Sequence, residues 1–599
     1  MALEDDYRKL YEWLETAKTV RGETLLKNAE RNLDYYLGNQ WKYLPASSLE
    51  PVTVNWIGNG IFRKFANLAF KPPKFSVTPV YSGESLVEEI LGGELANEVV
   101  PDDAELRSVI ASAVEVLFEA SGGWMACKAA LLDRYIFGVG IVYTTWDDNN
   151  GPIAIRVSPF DFLWDPQRAW HDWGRGRFVA RTFKMYLDEV KAMPNWSNTR
   201  KLQPSVASDW GWNPFSQSRM KPEHGEITLL EAWFKNVQVG RDKGRNVRII
   251  WAVSQPDKPL LVEDWPFELT NENGVLEFPF YLIVGHPVPE RFAPLGDVDV
   301  TKDQQDELNQ LRSYSKFRAL LTLKLYTRVG VLSKEALNAL QSPVIGEVVQ
   351  GNADAAANPI QFLPGPPYNI DIMTASQDVV RDIAVLQGVD DAMRGIQSPR
   401  RQTATEAQLM AVRSSTLAAY EQTTFESLIE DVAEALWQIA VKFGHVGYEV
   451  RPETGGINKV GLEHLIPSKI DVVSGSSRAE NKVEQQQNLV RFAAFVAQTG
   501  LLKTPANPAG MIDAKWLIKQ FADKFDLRLT DDAFALPEVQ GQVPGAVPSG
   551  PSLGNIPTQA EETLPGQPTG QLPLLEELLS MVAPVGEQAV PPQEMAEEV

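Results

Sequence analysis

Two carboxylates spaced as Asp297-Val298-Asp299 form an Asp-x-Asp pair, the kind of arrangement that holds a divalent ion in nucleases. They also open a helical stretch, where acids satisfy free backbone N–H groups and complement the helix dipole, so capping is the simpler account. Asp147 and Asp148 form a second acidic pair, but Asn149-Asn150-Gly151 follows, and that is turn chemistry first. Gly138-Val139-Gly140 begins like a dinucleotide fingerprint; Tyr143 stands where the third glycine belongs, and a hairpin pattern follows in place of a helix. There is no Gly-x-x-x-x-Gly-Lys-Ser/Thr phosphate cradle and no His-Glu-x-x-His zinc motif. His171, His224, His286, His445 and His464 are scattered outside any nucleophile or base motif. The residues therefore offer no catalytic set, no metal site and no cofactor site.

The placement of cations is more informative. From Leu308 to Lys334 the charged residues are Arg312, Lys316, Arg318, Lys324, Arg328 and Lys334, with no acid among them. A second group, Arg394, Arg400 and Arg401, surrounds Ser398-Pro399, with Gln397 and Gln402 beside it. Basic runs are usually solvated faces, yet they are also what sequence-independent phosphate contact requires. The three arginines have their own bland reading, pairing with Asp390, Asp391 or Glu406 near helix ends.

The elements that must position these cations run from Pro294 to Phe443. A first helix begins at Pro294-Leu295-Gly296-Asp297, with a Thr301/Gln304 capping box, and continues to Leu325. Its apolar face is thin, chiefly Leu308, Leu311 and Phe317, so it is expected to be solvated or packed against copies of itself. Short apolar runs then alternate with Gly, Pro and Asn up to Pro364-Gly365-Pro366-Pro367, which is strand-and-turn chemistry. A second helix ends before Pro399, and a third opens at the capping box Thr403-Ala404-Thr405-Glu406. Its second half carries a core stripe of Phe425, Leu428, Ile429, Val432, Leu436, Ile439 and Phe443.

Upstream, residues 3–37 read as helical, closed by Gly38, and Ile57–Phe70 as another helix broken by Lys71-Pro72-Pro73-Lys74. Phe75–Val80 alternates as an edge strand, and Ala104–Phe137 is helical. Ile141–Trp146 and Ile153–Val157 make the clearest hairpin, and strands follow at Val247–Val253 and Phe278–Val284. Residues 1–290 thus read as α+β. Later, Ile470–Gly475 reads as a strand, and Ala479–Thr499 and Asp513–Phe525 as helices.

Several of these stretches, in this order, resemble tailed-bacteriophage portal proteins. Pro294-Leu295-Gly296-Asp297 followed by Gln304, Gln305, Asp306, Glu307, Leu308, Asn309 and Ser313 resembles their first stem helix. Gly388-Val389-Asp390-Asp391-Ala392-Met393-Arg394-Gly395 and then Thr403-Ala404-Thr405-Glu406-Ala407 resembles the join from the second stem helix through the tunnel loop. Tyr36-x-Gly38-x-Gln40-Trp41 with Asn55, and the Gly138-x-Gly140 strand, hairpin and Asp165-Pro166, are similar to the family's N-terminal region and wing. The resemblance implies a portal fold: wing 1–290, first stem helix 291–326, strand-rich clip 327–367, second stem helix 368–391, tunnel loop 392–402, long wing helix and return strand 403–478, and helical crown 479–535.

By the same resemblance the chain forms a ring of about twelve subunits at one capsid vertex of the virion, assembled in the host cytoplasm. Double-stranded DNA passes through without being read. The terminase large subunit docks first, head–tail adaptor or tail proteins afterwards, and the major capsid protein and scaffold surround the ring. Arg394, Gln397, Arg400, Arg401 and Gln402 would then form the tunnel loop facing DNA, and Arg312, Lys316, Arg318 and Lys324 a basic stem face. Arg328, Lys334, Glu335 and Glu347 would offer the clip's partner surface. The alternatives are another ring-forming virion protein or a metal-dependent nuclease.

Composition fits a conduit. With 599 residues several cores are affordable, and a formal net charge of −22 argues against a surface that grips nucleic acid throughout. The lone Cys127 excludes an intrachain disulfide and a multi-thiolate zinc site, and suits a reducing compartment. No apolar run approaches bilayer-spanning length, no signal peptide is evident, and no membrane partner is expected. Residues 536–599 are rich in Pro, Gly, Gln and Glu and are expected to be disordered, apart from an amphipathic Leu572–Val582.

Overall fold

Leu10, Tyr11, Leu14 and Ala17 recur at helical spacing, and the first helix, α1 (Ala2–Glu23), buries all four. They are seen in a computed structural model, which describes residues 2–44, 51–79, 103–204, 225–321 (apart from 241, 272 and 273), 325–327, 360–362, 371–388, 404–445 and 466–477, with a few short strands and single positions besides. The chain divides into two units, Met1–Gln485 and Gln486–Val599. In the second, Leu502–Lys503 pairs with Ile512–Asp513 in parallel, so Asp513 closes a short strand where a helix start was expected. Apart from Phe492, which is helical and exposed, the rest of the expected crown helices, and the tail with its Leu572–Val582 segment, lie outside the described residues.

The first unit is mixed α+β. The helix expected over 3–37 is two helices, because the chain breaks at Thr24 and Leu25 before α2 (Leu26–Leu37). Gly38 ends α2 in the left-handed conformation, as a C-terminal cap should. Next comes α3 (Trp56–Leu68), whose start is capped by Asn55 accepting from the Gly58 N–H. The edge strand β1 (Phe75–Pro79) pairs antiparallel with the return strand Ser468–Val472. The apolar stretch 104–137 is likewise two helices, α4 (Asp103–Ala120) and α5 (Gly123–Phe137), divided at a left-handed Gly122.

Two antiparallel sheets complete the region. The predicted hairpin is β2 (Val139–Asp147) and β3 (Gly151–Val157), joined edge-on by Phe280–Val284 on the other side of β2. The larger sheet runs in the order β4 (Phe162–Trp164), β5 (Phe178–Tyr186), β6 (Glu226–Val239), β7 (Asp242–Ala252) and β8 (Leu261–Asp264). Helix α1 covers one of its faces, where Leu10, Tyr11 and Leu14 meet Phe178, Phe234 and Trp251. At its centre the fully buried Glu231 takes Arg181 at 2.7 Å, Arg248 at 2.8 Å and the Tyr143 hydroxyl at 2.7 Å.

After a six-residue helix α6 (Leu187–Ala192) come α7 (Asp297–Leu321), α8 (Asp371–Gln387) and the forty-residue α9 (Ala404–Phe443). The predicted stripe on α9 is buried from Phe425 through Ile439 in the main core, against α4, α5 and the three-stranded sheet. Phe443 is the exception: it is partly exposed and stacks on Trp146 at 4.3 Å, closing the core edge. Among the described residues no single helix is long and apolar enough to cross a membrane; α4 and α5 together pass by composition, but they bend by 63° and form core.

Candidate functional site

The elements expected to carry the basic residues form a helical hairpin. Strand Leu325–Thr327, just beyond α7, pairs antiparallel with Ile360–Phe362, just before α8. The two helices pack through Leu308, Val379 and Ile383. The start of α7 and the end of α8 both lie against α3: Asp297 reaches Lys64, and the side-chain amide of Gln387 sits where a Cβ on Gly60 would stand.

The polar face of α7 is not solvent-facing, and this corrects the expectation drawn from its thin apolar stripe. Thr301, Gln305, Asn309 and Ser313, spaced four apart, are all fully buried. Gln305 accepts from the backbone N–H of Trp56 at 3.1 Å and Ile57 at 3.3 Å, and donates to the Val54 carbonyl at 2.7 Å. Asn309 accepts from the Val54 N–H at 3.1 Å, and Ser313 from the Val52 N–H at 2.9 Å. Residues 52–55 and the first N–H groups of α3 are thus held by two side-chain amides and a hydroxyl on α7, where a sheet would have used a neighbouring strand. Each backbone group here would cost about 1–3 kcal/mol if buried unpaired. Thr301 lies within the helix and donates to the Asp297 carbonyl, so it is not the cap the sequence suggested.

The N-terminal signature closes the same arrangement. Gln40 is fully buried, donates to Tyr35 O and Asn55 Oδ1, and accepts from Asn309. Trp41 donates to the Val52 carbonyl and the Tyr35 hydroxyl to Asp306 at 2.8 Å. Within the Tyr36-x-Gly38-x-Gln40-Trp41 signature, the buried Gln40 thus makes most of the polar contacts. The Gly-x-Gly strand and the Pro-Leu-Gly-Asp turn also meet: a Cβ on Gly138 would strike Pro294 O at 2.6 Å, and one on Gly296 would strike Ile136 O at 2.6 Å. Both motifs exist for close backbone approach.

Asp297 and Asp299 are spoken for by protein groups. Lys64 is 2.7 Å from Asp297 and 2.6 Å from Glu421 of α9, so one buried ammonium joins α3, the base of α7 and the middle of α9. Arg134 and the Tyr135 hydroxyl each lie 3.4 Å from Glu421, and His286 lies 3.3 Å from Asp297. Burial opposes ionisation of Asp297, but Lys64, His286 and Arg134 hold its carboxyl well below the usual carboxylate range. Asp299 instead accepts from Arg31, Asn32 and the Gly296 N–H, a helix-start role. Among the described residues no three metal-ligating side chains gather. Asp147 accepts from the Asn149 and Asn150 N–H groups, a turn former as expected.

The family comparison decides what this assembly is. The model of the phage P22-like portal protein family matches residues 13–443, which runs through the wing-like region, the α7–α8 hairpin and the whole of α9. The chain belongs to that family. No curated protein matches it. Portal proteins are structural and non-enzymatic, and membership implies a phage portal: an oligomeric ring in the virion capsid through which DNA passes.

Of the expected contact residues on this portal chain, Arg312 and Lys316 are exposed, one turn apart on α7 at the edge of the buried stripe. Arg318 lies in α7 with its side chain outside the described residues. Lys334 is exposed. Lys324, Arg328, Glu335 and Glu347, and the loop residues Arg394, Gln397, Arg400, Arg401 and Gln402, lie outside the described residues. Sequence reasoning did not find Lys64 and Glu421, because neither stands in a motif. Gln305, Asn309 and Ser313 were visible as part of the resemblance, but not their bonding.

Proposed function

We propose that the chain builds a ring of about twelve copies at one vertex of a tailed-phage capsid, the channel for the genome on packaging and on ejection. The observation that carries this reading is the family match spanning residues 13–443, supported by a helical hairpin whose far ends are tied by paired strands. In this reading residues 1–290 and 403–478 are wing, α7 and α8 the stem, 327–367 the clip, 392–402 the tunnel loop and 479–535 the crown. The clip, with Arg328, Lys334, Glu335 and Glu347, docks the terminase large subunit during packaging and head–tail adaptor or tail proteins afterwards. The major capsid protein and scaffold contact the wing side.

DNA contact falls to Arg312, Lys316, Arg318 and Lys324 on the stem and to Arg394, Arg400 and Arg401 on the tunnel loop, with Gln397 and Gln402 beside them. Two adjacent arginines after Pro399 cannot both face one helix terminus, which favours an outward role over local pairing. Contacts to phosphate release counterions and are salt-dependent without reading bases, so a few arginines in an acidic tube retain DNA without arresting it. Replacing Arg400 and Arg401 with Ala is expected to leave the ring intact while packaging or retention of DNA falls, most at raised salt. Full packaging and retention by the double variant would show that the arginines are structural.

A further inference from the structure

A closed ring needs two different faces on each copy, one for each neighbour. The helices at the hairpin base carry two exposed apolar patches. On α8, Val385 is 72 % exposed and Leu386 38 %. Gly388, left-handed at φ +66°, approaches α9 so closely that a Cβ would collide with Leu417. Leu417, and Tyr420 one turn further on, therefore flank the same end of α8, and both are exposed. Val385, about 60° round the helix from Gly388, shares that side of α8 with Leu417 and Tyr420 and makes a corner patch with them, and Leu386 borders it.

The second patch is on α3. Gly60 faces α8, with Gln387 packed against it. Phe62, two residues later, is turned about 200° around the helix from Gly60 and so points away from α8. It is 57 % exposed. The two patches thus lie on opposite sides of one packed helix pair. A twofold contact would need a single self-complementary patch; two distinct patches facing opposite ways fit head-to-tail association. Charge agrees in sign. Arg63 adjoins Phe62, whereas Asp382 and Asp378, exposed about one and two turns before Val385 on α8, outnumber the exposed Arg381 between them.

We infer that Phe62 of one copy packs on Val385, Leu386 and Tyr420 of the next, with Arg63 set opposite Asp382. The inference rests on the ring reading and specifies which faces close it. An aromatic anchor in an apolar corner with opposite charges at its rim is a typical contact centre.

Paired cysteines test it in the full-length chain, whose own thiol, Cys127, is buried. Phe62→Cys/Val385→Cys and Phe62→Cys/Leu386→Cys are purified, checked for rings by electron microscopy, and oxidised mildly. A ladder of covalent oligomers on a denaturing, non-reducing gel is expected from at least one pair and from none of the single variants. Rings that assemble but yield no ladder from either pair would overturn the assignment while leaving the ring reading intact. If the parent chain forms no ring, it is the ring reading that fails.

Discussion

At the scale of residues, the base of the hairpin depends on one ammonium. Lys64 is almost fully buried between Asp297 and Glu421, with the Tyr135 ring 5.0 Å away. Two cations, Lys64 and Arg134, face two carboxylates, so removing any one of the four alone leaves the cluster with a net charge. Removing one partner of a buried ion pair typically costs about 3–5 kcal/mol, because the other is left uncompensated. Lys64→Met is therefore expected to lower the thermal midpoint markedly, and Lys64→Met/Glu421→Gln to recover part of the loss. A midpoint unchanged by Lys64→Met would mean the cluster contributes nothing. The sequence did reveal Asp297 and Asp299 as helix-start acids. It did not reveal their partners, since Lys64 lies 233 residues from Asp297 and a lone lysine inside a helix carries no local signal.

At the scale of elements, what was legible followed periodicity and turn chemistry. The hairpin about Asp148-Asn149-Asn150-Gly151, the stripe on α9 and the Gly38 cap all appear where alternation, helical spacing and a φ-permissive residue put them. The misjudged element was α7. A pattern that counts only apolar positions scores Thr301, Gln305, Asn309 and Ser313 as a solvent face, although all four are buried against the chain's own backbone. The helix breaks at residues 24–25 and at Gly122 were missed because flanking residues keep helical spacing through them.

The five-stranded sheet adds a dependence on pH. Burial alone would raise the Glu231 carboxyl, but Arg181, Arg248 and Tyr143 hold it down at about 2, against an ordinary 4.5. A carboxyl whose folded value is depressed contributes stability that is complete above its unfolded value and shrinks as pH falls toward the folded one. The thermal midpoint is therefore expected to drop between pH 4.5 and about 2, with a shallower slope in Glu231→Gln. Equal slopes in parent and variant would remove Glu231 as the cause.

At the scale of the whole molecule, an acidic chain with a formal charge of −22 carries its basic run on one hairpin. On the proposed reading, phosphate contact is limited to this run and the tunnel-loop arginines, which suits DNA that must pass and not adhere. Several exposed apolar side chains on α3, α8 and α9 are explained if neighbouring copies cover them. Family membership was legible from motif order, and where the structure describes those motifs they mark close backbone approaches at Gly138 and Gly296 and buried amides at Gln40, Gln305 and Asn309. The most direct test is the mass and shape of the purified full-length protein, by light scattering and electron microscopy. A closed ring of about twelve copies around an open channel is the expected result. A stable, well-folded monomer at every concentration examined would contradict it.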